Sequence, residues 1–66
     1  MFECLSEREK EILTHVVNCR TNKEIAGSLY LEPTTVCTHI VNIYNKLCIS
    51  GKMSRMKLLK MYMENL

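Results

Sequence analysis

The chain has 66 residues, 47% of them hydrophobic and 24% charged, a composition that excludes an intrinsically disordered tail and leaves room for one domain, residues 1–66. A chain this short buries only about 60% of its extended surface, so a second subunit, a DNA duplex or a further domain would help to hold it. Its net charge of +2 is unevenly spread: residues 1–32 carry four basic and six acidic side chains, residues 33–66 five basic and one acidic, and a basic second half suits either a phosphate backbone or a plain solvated surface.

The first element is announced by "LSEREKEILTHVV". Ser6 with Glu9 three residues later forms the pattern of a capping box, and Glu7 and Glu9 favour the positive end of a helix dipole. Ile12, Leu13, Val16 and Val17 follow at helical spacing, predicting a helix over 7–18. "TNKEIAGSL" repeats the device with Thr21 and Glu24, and Ile25, Ala26 and Leu29 supply the apolar stripe of a helix over 22–29. Gly27 weakens that short helix by about 1 kcal/mol relative to Ala.

Pro33 fits only the first turn of a third helix, over 33–48, with Glu32 as a poor N-cap. Val36, Ile40, Ile43 and Leu47 recur at spacings of four, three and four, which marks one buried stripe. Ser50 and Gly51 stop it. A fourth helix over 53–65 carries Met56, Leu58, Leu59, Met61, Tyr62 and Met63, with Leu66 just beyond, more apolar surface than one narrow stripe requires. No strand or hairpin signal appears, so the fold class is all-α: a four-helix domain whose second and third helices, joined by "YLE", make a helix-turn-helix.

Cys4, Cys19, Cys37 and Cys48 show no C-x-x-C pair and no clustered His, so neither a metal site nor a cofactor is indicated. Free, mostly buried thiols in a reducing cytoplasm are expected, with no signal peptide and no apolar run near the roughly 18 residues of a membrane span. Cys37, beside the apolar stripe, is expected to be partly buried, and His15 packed or solvated. No nucleophile–base pairing or Gly-rich phosphate loop argues for an enzyme.

The third helix holds the functional signal. At about 100° per residue, Thr34, Thr38, Val41 and Asn45 fall opposite the apolar stripe, with Asn42 close by. Base edges in the major groove offer donors, acceptors and the thymine methyl, which Asn, Thr and Val can meet. Cations belong on the flanks, where phosphates are held, and the flanks offer Thr35, His39 and Lys46. His39 also has a bland role available, as a hydrogen-bonded structural residue. A polar, uncharged face fits base reading better than solvation. It also fits a protein-binding surface.

Taken together, Leu5-Ser6 with Arg8-Glu9, Asn22-Lys23-Glu24-Ile25-Ala26, Thr35-Val36 with His39, and Lys46-Leu47 resemble the LuxR-type (GerE-like) helix-turn-helix domain of bacterial transcription regulators, over about residues 5 to 60. The resemblance implies a third helix in the major groove and dimeric binding to inverted half-sites. It also implies a dimer contact on the fourth helix, here Met56, Leu59, Tyr62 and Met63. It places phosphate contacts at Asn22, Lys23 and Thr35, with Lys46 as a plausible addition, and base reading at Cys37, Thr38 and Val41, to which we add Asn42. Relatives commonly have Lys or Arg at the position of Cys37, and guanine readers often have Lys at that of Val41, so a lean towards A·T pairs is expected. Cys19 replaces the family's preferred Gly, which suggests Asn18 for the left-handed position. Either Lys52 or Arg55 stands for the family's Arg, with Arg55 giving the better downstream match.

The expected function is a sequence-specific transcription regulator of double-stranded DNA, a homodimer with RNA polymerase or a larger regulator as further partners. A protein-binding adaptor or anti-activator with weak or no DNA binding is the alternative, and a sigma-like promoter-recognition domain fits the motifs less well. Family members usually carry this domain behind a receiver or ligand-binding domain; the short lead "MFEC" fits both a stand-alone regulator, the slightly favoured expectation, and a piece of a longer one.

Overall fold

The computed structural model describes residues 2–65; Leu66, the apolar residue just beyond the last predicted helix, lies outside the described residues, as does Met1. After a single 3-10 turn at Phe2–Cys4, four helices follow: α1 (Glu7–Val17), α2 (Asn22–Leu29), α3 (Pro33–Lys46) and α4 (Ser54–Glu64). Both capping boxes form. Ser6 Oγ accepts the Glu9 amide at 3.2 Å while Glu9 Oε1 accepts the Ser6 amide at 2.8 Å. At α2, Thr21 Oγ1 accepts the Glu24 amide at 3.2 Å and Glu24 Oε1 accepts the Thr21 amide at 2.9 Å. Pro33 opens α3, and Glu32 before it makes no side-chain cap, as its chemistry implied.

The apolar stripes converge on one core. Ile12 of α1, Ile25 of α2, Val36 and Ile43 of α3 and Leu58 of α4 are completely buried. Helix α3 packs against α2 and α1, and α4 lies against α1. The arrangement is a helix-turn-helix braced by two further helices, and among the described residues there is no strand.

The predicted ends run one or two residues long. Helices expected to reach 18, 48 and 65 stop at Val17, Lys46 and Glu64, and α4 begins at Ser54 rather than at 53. For α1 and α3 the cause is the capping geometry, which α2 shares. The amides of Arg20, Leu31 and Ile49 reach back five residues to the carbonyls of His15, Ala26 and Tyr44, at 3.3, 2.9 and 2.8 Å. Each such bond closes a Schellman turn, which needs a left-handed residue just before the donor. Those residues are Cys19, Tyr30 and Cys48, with φ of 62°, 57° and 58°. Asn18, expected in that role after α1, has φ −92° instead. The five-residue reach places the left-handed φ one residue later, at Cys19.

Non-glycine residues are strained there, by about 1–2 kcal/mol, because Cβ approaches the following carbonyl oxygen. Tyr30→Gly and Cys48→Gly are therefore each expected to stabilise the domain by about 0.5–1 kcal/mol after the extra unfolded-state freedom of glycine is subtracted. In a thermal melt followed by circular dichroism, that is a rise of roughly 2–8 °C. A lowered midpoint would contradict it.

The same geometry corrects the reading of the cysteines. All four are exposed rather than mostly buried. Cys19 and Cys48 sit in the left-handed turns outside the helices, Cys4 in the leading 3-10 turn, and Cys37 on the outward side of α3 rather than half within it.

Candidate nucleic-acid interface

Because Val36, Ile40 and Ile43 are held in the core, the opposite side of α3 must face out. Thr34, Cys37, Thr38, Val41, Asn42 and Asn45 are all exposed, and Thr35 and His39 are half-buried at the edges of that face. Thr38 Oγ1 donates its hydrogen to the Thr34 carbonyl at 3.1 Å. Its hydroxyl therefore offers acceptor lone pairs and a methyl group outward, not a donor. Thr38 can accept from an adenine or cytosine amino group and pack on a thymine methyl. Asn42 and Asn45 supply donors and acceptors together. No carboxylate lies on this helix.

The flanks are arranged less simply. At one side, α2 begins with Asn22, half-buried, and Lys23, exposed. Asn22 Oδ1 accepts from Arg55 Nη1 of α4 at 2.9 Å, and Arg55 Nη2 also donates to the Arg20 carbonyl. At the other end of α3, Lys46 Nζ donates to Glu9 Oε1 at 2.7 Å. The Glu9 side chain is 6% exposed and that of Lys46 41%. The Lys46 hydrogen bond, aided by the Ser6 amide and opposed by burial, holds the Glu9 carboxyl below the usual 4.5. Lys46 thus reaches the interface already partnered. Among the described residues, Lys23, Lys52 and Lys60 carry no such ion pair.

On α4, Met56 and Met63 are each 61% exposed, while Leu59 and Tyr62 are half-buried. Tyr62 leans on Phe2 with ring centroids 5.8 Å apart. Met56 and Leu59 share the lining of a groove of about 510 Å³ with Val16, Cys19, Arg20, Thr21, Asn22 and Arg55. The links from Arg55 to Asn22 and from Glu9 to Lys46 escaped the sequence reading because 33 and 37 residues separate the partners. The only signal available was the better match of Arg55, rather than Lys52, to the family's Arg; Arg55 is indeed the one that ties the elements together.

No group of His, Cys, Asp or Glu among the described residues is placed to hold a metal ion. No helix among them is long and apolar enough to cross a membrane.

Comparison with known proteins agrees with this architecture. The chain is 42% identical over 48 residues to an uncharacterized transcriptional regulatory protein of Bacillus subtilis, YhcZ, covering 73% of this chain and 22% of that one. It is 46% identical over 50 residues to the transcriptional regulatory protein LiaR of the same species, covering 76% and 24%. It is 43% identical over 52 residues to the response regulator protein VraR of Staphylococcus aureus, covering 79% and 25%. The chain therefore spans about a quarter of the length of these curated relatives. No solved structure matches it. The family model that does match, GerE, is one of regulatory proteins and not of enzymes, and it covers residues 3–63. With its helix-turn-helix in place and nearly its whole length matched, the chain belongs to the luxR family of bacterial regulatory proteins.

Proposed function

We propose that this domain is a sequence-specific, double-stranded DNA-binding regulator of transcription that lays α3 in the major groove. The observation that carries this reading is the outward face of α3: six exposed side chains, none of them charged, on a helix whose other side is locked into the core. Thr34, Cys37, Thr38, Val41, Asn42 and Asn45 read bases, while Asn22, Lys23, Thr35, His39 and Lys46 hold phosphates. Without Lys at positions 37 and 41, the face lacks the usual charged contact to guanine and leans towards A·T pairs. The domain acts in the cytoplasm as a homodimer on inverted half-sites. The exposed Met56 and Met63, with Leu59 and Tyr62, form the contact, and RNA polymerase or a larger regulator is the further partner.

Binding-site selection on the purified chain, followed by anisotropy titration and mass measurement in solution, tests this directly. A·T-rich inverted half-sites and a dimer on DNA are expected. Affinity should fall steeply with salt, and Lys23→Ala should reduce the slope of log K against log salt by about 0.9 per protomer. No binding to any duplex at low salt would end the proposal, and G-rich sites would end the A·T preference. One observation favours the second reading, a protein-binding adaptor or anti-activator: Lys46, the cation at the end of α3, is already held by Glu9.

A further inference from the structure

Arg55 stands in the first turn of α4, where a cation opposes the helix dipole. Its guanidinium also lies against Asn22, the first residue of α2, at a second positive helix end. On grounds of dipole energy alone this is a poor place for an arginine. Both of its hydrogen bonds go to acceptors at the start of α2: Oδ1 of Asn22 and the carbonyl of Arg20, in the turn before it.

The Asn22 bond has a chemical consequence. A guanidinium has donors only, so the Asn22 atom facing it must be the carboxamide oxygen and the NH₂ must point the other way. That NH₂ makes no hydrogen bond within the described residues. Among the described residues no buried polar side-chain atom lacks a partner, so this NH₂ reaches solvent. An asparagine free to flip would show a phosphate its repulsive oxygen part of the time. Here the oxygen is held inward and two N–H donors are held outward, next to the exposed Lys23.

We infer that Arg55 is a positioning residue: it orients the Asn22 carboxamide as a fixed donor to a DNA phosphate, without itself touching the DNA. The inference rests on the DNA-binding reading above and adds to it a residue on α4, outside the helix-turn-helix. It also explains why the position takes Arg rather than Lys. Only the planar fork reaches Asn22 Oδ1 and the Arg20 carbonyl together, tying the α1–α2 turn and the side chain into one orientation.

A double-mutant cycle on the full chain tests it, using a mixed-sequence duplex at low salt and a temperature at which circular dichroism shows every variant folded. Asn22→Ala and Arg55→Met should each weaken binding roughly tenfold, as expected for one lost bond to a charged group. The double variant should be no weaker than about tenfold, because Arg55 acts only through Asn22. Arg55→Lys, which keeps the charge and loses the fork, should resemble Arg55→Met. Additive losses near a hundredfold, or full rescue by lysine, would overturn the inference while leaving DNA binding in place. If the wild type bound no duplex, both would fall. Should Arg55→Met not fold, the wild type still decides: the Asn22 side-chain NH₂ resonances should move when duplex is added, and resonances that stay put would overturn the inference.

Discussion

Thr38→Glu is expected to weaken duplex binding at least about a hundredfold while leaving the domain folded. Thr38 lies mid-way along the outward face of α3 and is exposed, and its side-chain hydrogen bond is to the backbone of its own helix. Glutamate is a better helix former than threonine, and an exposed substitution away from the core changes stability by about 0.5 kcal/mol or less. In the groove, by contrast, a carboxylate would face two rows of phosphates, and like charges brought together in an interface cost several kcal/mol. The measurement is an anisotropy titration beside a thermal melt. Unchanged affinity with an unchanged melt would mean that α3 is not the reading element. If the wild type bound no DNA, and the variant still formed a complex with a protein partner, the adaptor reading would be the one left standing.

The parts of the fold that were legible in the sequence are those set by short-range chemistry. Ser6 with Glu9 and Thr21 with Glu24 are three-residue hydrogen-bond exchanges, so both helix starts were readable from spacing. Val36, Ile40 and Ile43 declared the inner side of α3, and the outer face followed by elimination. The helix ends were less readable, because the left-handed positions are occupied by Cys19, Tyr30 and Cys48, which carry none of glycine's signal. Tyr30 illustrates why: it is 96% exposed and holds the left-handed position without glycine's freedom, while Leu31 after it packs on the core. The tertiary bonds of Arg55 and Lys46 were invisible to any local pattern. Both bear on the candidate interface: one holds the Asn22 Oδ1, and the other partners the cation at the end of α3.

That second bond carries the other large expected effect. Glu9→Ala should destabilise the domain by about 2–3 kcal/mol, a large part of what a chain of this length holds. One side chain is responsible for two things. Glu9 closes the capping box on the Ser6 amide, and it pairs with Lys46, fastening the C-terminal end of α3 to the start of α1. The loss should depend on pH with a definite sign. The folded pKa of Glu9 lies below the ordinary 4.5, chiefly through the Lys46 hydrogen bond. Its contribution is therefore complete above 4.5 and is lost as pH falls through the lowered folded value. Denaturant melts of wild type and variant should differ most at neutral pH and converge in acid; a gap that stays constant down to the acid limb would show that the charge of Glu9 plays no part. Binding separates this role from recognition. Removing Glu9 releases the Lys46 ammonium for phosphates, so the folded variant should hold a duplex at least as tightly as the wild type and with a steeper salt dependence. Weaker binding by folded Glu9→Ala would mean instead that the pair sets the angle at which α3 enters the groove.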